Sequence, residues 1–88
     1  MKTKEDFILR KVGDETVVVA VGDSVVTFNA MLKLNESSEM LFTLLQAGAT
    51  REELAQKLLS EYDIDEATAR KDADAFVEQL LELGVISE

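Results

Sequence analysis

With 88 residues the chain has room for one hydrophobic core, because a domain this small buries only about 60% of the surface its unfolded chain exposes. Hydrophobic residues at 47% exclude a disordered tract, and 18 Asp and Glu against 9 Lys and Arg leave a net charge of −9, a field that repels nucleic-acid phosphates and anionic lipid. The absence of His and Cys removes the usual general base, the thiolate nucleophile and most ligands for zinc, haem or iron-sulfur clusters, so neither catalysis nor a bound metal or cofactor is expected.

Met1-Lys2-Thr3-Lys4-Glu5-Asp6 is charged and no long apolar run follows it, so the chain reads as cytoplasmic, with neither a signal peptide nor a membrane span. Phe7–Val12 is apolar and partly β-branched, Gly13-Asp14-Glu15 punctuates, and Thr16–Val21 is a β-branched run unsuited to a helix. The two runs predict a hairpin. Gly22-Asp23 breaks the second strand, Asn29 is a turn residue, and Ala30–Leu34 is expected as a third short strand.

Three helices follow. Asn35 is suited to cap the first, in which Met40, Leu41, Leu44 and Leu45 recur at helical spacing before Gly48 supplies a left-handed terminator. Thr50-Arg51-Glu52-Glu53 is a capping box for the second, whose apolar face is Leu54, Leu58, Leu59 and Tyr62. Asp65 caps the third and longest, where Ala69, Ala73, Phe76, Val77 and Leu80 fall on one stripe about 120° wide. Gly84 ends it, and Val85-Ile86 is placed to fold back on the last turn. Residues 1–88 thus form a single α+β domain, a small three-stranded antiparallel sheet with three helices packed on it.

The acidic stretches offer no chemistry of their own. From Asp63 a calcium loop would need a ligand and then a glycine where Ala67 and Thr68 stand, and Asp72 and Asp74 lie about 200° apart around a helix. None of the four glycines opens a phosphate-binding loop. Ser24, in Gly22-Asp23-Ser24-Val25, has the Asp-Ser order of an acyl or peptidyl carrier protein, but it follows a strand where carrier serines begin a helix.

Three stretches in order, "FNAMLKLNESSEMLFTLL", "GATREELAQKLLSEYDID" and "ARKDADAFVEQLLELGVI", resemble the PqqD-like family, named for pyrroloquinoline quinone biosynthesis and also known as RiPP recognition elements (of ribosomally made, post-translationally modified peptides). The resemblance implies a winged helix-turn-helix-like fold and a non-catalytic function. Such a module binds the leader segment of a precursor peptide and presents it to a modifying enzyme, by resemblance a radical SAM enzyme. The leader is expected to add as a strand beside the third strand, Ala30, Met31, Leu32, Lys33 and Leu34, with side chains lodged against the third helix at Arg70, Asp74, Val77 and Leu81. Alternation allows Leu32 and Leu34 to face the core with Met31 and Lys33 outward, or the reverse. The competing readings are a winged-helix DNA-binding regulator, which the charge opposes, and a carrier protein using Ser24; a homodimer stays open.

Overall fold

A computed structural model describes residues 1–21 and 32–87. Among them the elements run β1 (Lys2–Thr3), β2 (Phe7–Val12), β3 (Glu15–Ala20), β4 (Leu32–Leu34), α1 (Glu36–Ala47), α2 (Arg51–Glu61), α3 (Glu66–Leu83) and β5 (Ile86–Ser87). The sheet expected from the sequence is β2-β3-β4, antiparallel throughout. Ala30 and Met31 of the expected third strand, and Ser24, lie outside the described residues.

The hairpin is tighter than its punctuation implies. Val12 pairs with Glu15, so the loop is Gly13-Asp14 alone, and Gly13 takes φ 64. Positive φ at the first loop position only is the pattern of a type II′ turn, whose twist matches that of the flanking strands. β4 pairs on β3 with Thr16 opposite Leu34 and Val18 opposite Leu32. The pleat therefore places Phe7, Leu9, Thr16, Val18, Leu32 and Leu34 on one face and Arg10, Val17 and Lys33 on the other. Of the two orientations open to the third strand, leucines inward and Lys33 outward is the one adopted, with Leu34 buried and Lys33 paired to Glu15 at 3.2 Å.

All three helix caps form as the sequence predicts. Asn35 Oδ1 accepts from the Ser38 amide at 2.8 Å, and Asp65 Oδ1 from Thr68 at 2.7 Å. Thr50 and Glu53 exchange reciprocal bonds at 3.1 and 3.0 Å. Gly84 closes α3 in the left-handed region at φ 76 and ψ 17. Gly48 does not repeat this: at φ 101 and ψ 125 it is outside the left-handed helical region, because the chain there leaves α1 extended, with Ala49 bonded to Met1.

One core joins the layers. Leu41, Phe42 and Leu45 of α1, Leu54, Ala55 and Leu58 of α2, and Ala69, Ala73, Phe76, Val77 and Leu80 of α3 close on Phe7, Val18 and Leu34 of the sheet. Buried Thr16, at the rim of that face, has its hydroxyl satisfied. Lys11 Nζ donates to Thr16 Oγ1 at 2.6 Å, and the hydroxyl donates to Glu39 Oε2 at 3.1 Å, which ties the hairpin to α1.

A second, two-stranded sheet goes beyond the three strands expected. Val85 does fold back, its amide donating to the Leu80 carbonyl at 2.9 Å, but the chain then extends as β5 and pairs with β1, Thr3 opposite Ile86. Met1 and Ala49 exchange both backbone bonds, at 2.9 and 2.8 Å, so the first residues bridge the α1–α2 turn and the end of the chain.

Candidate functional site

In the sheet order β2-β3-β4, β4 is an edge, and among the described residues it has no strand partner opposite β3. Its free side carries backbone donors and acceptors in an extended row, the feature that lets a further strand pair. The edge is short and bears Lys33 on its outer face, which resists indiscriminate pairing.

Beyond the end of β4 a cleft of about 470 Å³ opens between the start of α1, the end of α2 and the middle of α3. The floor is apolar and belongs to the core: Leu41, Leu58 and Phe76 are 3%, 3% and 7% exposed. Half-buried Tyr62 and Ile64 close the α2 end, and Asn35, Ser37 and Ser38 form the α1 rim. The α3 wall is Asp72, Ala75, Phe76 and Gln79. These fall on one flank of the helix because they are three or four residues apart. The combination, an apolar floor with a rim of hydroxyls and amides, suits a peptide side chain inserted from above and a backbone held at the edge.

The sequence-derived contacts on α3 stand elsewhere. Arg70 grips Glu52 of α2 through both terminal nitrogens, one at 3.0 Å, and also reaches Glu66. Asp74 accepts from Arg51 at 3.3 Å, and the same arginine holds Glu78 at 2.9 Å. The Arg70 guanidinium holds the Glu52 carboxyl below its ordinary value, with Gln56 adding to the effect; in return Glu52, and then Glu66, raise Arg70. Val77 is wholly buried, and Leu81 is half-buried against the core. Arg70, Asp74 and Val77 therefore serve the contact of α3 with α2 and the core, and none of these four lines the cleft. Leu32, Lys33 and Leu34 are brought together on the edge beside it.

Asp72, Ala75 and Gln79, which do line the cleft, were not among the residues expected from the sequence. A signal was present: Arg51-Glu52 at the start of α2 complements Glu66, Arg70, Asp74 and Glu78 on α3, and such a match marks an interhelical flank, leaving the other flank open.

No group of His, Cys, Asp or Glu among the described residues is arranged to hold a metal ion, and none of the helices there is long and apolar enough to cross a membrane.

The profile of the family described as Coenzyme PQQ synthesis protein D (PqqD) matches residues 15–86. Two solved structures share the fold at a TM-score of 0.78. TbiB1 in complex with the TbiA(beta) leader peptide is 20% identical over 100% of both chains, and a lasso peptide synthetase B1 complexed with the leader peptide is 23% identical over 99% of this chain and 96% of its own. No curated protein matches the chain.

Proposed function

The chain belongs to the PqqD family, and on that premise we propose that it is a non-catalytic module that binds the leader segment of a ribosomally made precursor peptide by strand addition and presents it to a modifying enzyme. The observation that carries the proposal is the free β4 edge beside an apolar cleft. Leader amides and carbonyls pair with the backbone of Ala30 to Leu34, while alternate leader side chains drop between β4 and α3. Affinity then comes from main-chain pairing and selection from the cleft. Both structural neighbours are complexes with leader peptides, which supports the same use of this fold here.

In this reading the α3 contacts are Asp72, Ala75, Phe76 and Gln79, while Arg70 and Asp74 hold α2 in place and Val77 backs the wall from the core. The modifying enzyme is a radical SAM protein, which rests on the family resemblance alone. DNA binding is disfavoured because α2, the helix that would read a groove, exposes Glu52, Glu53 and Glu61 around Lys57, itself paired to Glu61.

The test is a titration of ¹⁵N-labelled protein with the leader of a precursor peptide encoded beside its gene. The largest amide shifts are expected on β4, the first turn of α1 and the cleft flank of α3. Shifts confined to α2 and the Gly13-Asp14 turn would overturn the strand-addition reading.

A further inference from the structure

Of the residues that line the cleft, Asp72 alone carries a charge. It is exposed, and among the described residues it makes neither an ion pair nor a hydrogen bond. Its own helix offers no partner, since the residues three and four positions away are Thr68, Ala69, Ala75 and Phe76. Arg51, Lys57 and Arg70, the bases of α2 and α3 other than Lys71, are each held by carboxylates elsewhere, and Lys71 projects about 100° away around the helix. In a chain that neutralises so many of its cations with acids, a lone carboxylate above an apolar floor is an unanswered charge.

We propose that Asp72 makes this cleft selective for peptides carrying a lysine or arginine two positions from an apolar or aromatic anchor. The inference rests on the strand-addition reading above and specifies the ligand that reading leaves open. Its geometry comes from two repeat lengths. Asp72 stands one helical turn, about 6 Å, from Phe76 on the same flank. Side chains on one face of a strand recur about every 6.8 Å, so a strand lying along this wall with its anchor over Phe76 brings the side chain two residues away opposite Asp72. Energetics point the same way. A peptide that covers the cleft removes water from the carboxylate, which is unfavourable unless the peptide supplies a positive partner. A peptide with Asp or Glu at that position would be rejected twice, by desolvation and by like charge.

The test uses a display library of random twelve-residue peptides selected on the intact protein, with Asp72→Asn, Asp72→Lys and, as a control outside the cleft, Glu82→Gln. Enriched peptides should pair an apolar or aromatic residue with Lys or Arg two positions away. Asp72→Lys should exchange that preference for Asp or Glu, and Asp72→Asn should weaken the best cationic peptide about two- to fivefold at low salt, with the difference shrinking as salt rises. Glu82→Gln should enrich the same peptides as the unaltered protein. Peptides that shift β4 and α3 amides but show no charge preference, or the same preference in Asp72→Lys, would overturn the role of Asp72 while leaving strand addition standing. A selection that enriches nothing, or peptides whose shifts miss β4 and α3, would overturn both.

Discussion

The two flanks of α3 differ in what their charges do. On one, Arg70, Asp74 and Glu78 reach across to Glu52 and Arg51, and every charge has an opposite within 3.3 Å. On the other, Asp72 stands alone between Ala75 and Gln79 over the buried ring of Phe76. The flanks thus differ both in how many charges they carry and in whether those charges are answered from within the fold, and the open cleft lies on the flank where they are not.

The comparison can be broken most forcefully at Phe76, which belongs to both the core stripe and the cleft floor. Phe76→Ala should cost about 3 to 5 kcal/mol in urea unfolding, comparable to the whole stability of a domain this size. A loss below about 1 kcal/mol would mean that the ring does not join the two roles. A smaller effect is expected for variants that spare the core. Ala75→Trp fills the cleft from an exposed position, and Lys33→Pro disturbs the β4 backbone; each should weaken leader binding about tenfold or more by calorimetric titration, with the melt retained. If Leu81→Ala weakened binding as much and Ala75→Trp left it unchanged, the peptide would lie on the flank expected from the sequence.

Across the helix the expected changes are modest and fall on stability. Arg51→Ala removes ion pairs to Asp74 and Glu78 and should cost about 1 kcal/mol or less, since half-exposed pairs gain little. Leader affinity should change by less than about twofold, a change that binding titration resolves. The smallest effect is in pH. Glu52 is held below its ordinary value of 4.5 by Arg70, and Asp65 below 3.8 by the Thr68 hydroxyl and amide it receives at the start of α3. A carboxyl lowered on folding contributes stability that is fully present above its unfolded value and lost as pH falls through the folded one. Urea midpoints should therefore hold level above about pH 5 as far as these groups are concerned. They should then decline through the region below 4.5 and 3.8, and Glu52→Gln should flatten part of that decline. An unchanged pH profile in Glu52→Gln would remove the bidentate contact from the account.

The hairpin, the three capped helices and the core stripe of α3 were all legible in the chain itself. Each depends on interactions spanning a few residues: Asn35, Thr50 and Asp65 meet amides three positions on, and Ala69, Ala73, Phe76, Val77 and Leu80 share a face through the helical repeat alone. The family was legible too, because its pattern lies in the order of these local signals. The three-stranded antiparallel sheet with its helices was expected and is found, but other relations between elements distant along the chain were not legible. β1 and β5 hold two residues each, too few for a periodic signal, and they pair only because packing brings the first residues to the end of α3. The choice between the flanks of α3 had the same origin. Arg70 and Asp72 are two residues apart and equally polar, and tertiary packing made one a clasp to Glu52 of α2 and set the other on the open wall of a cleft that α1 and the end of α2 complete.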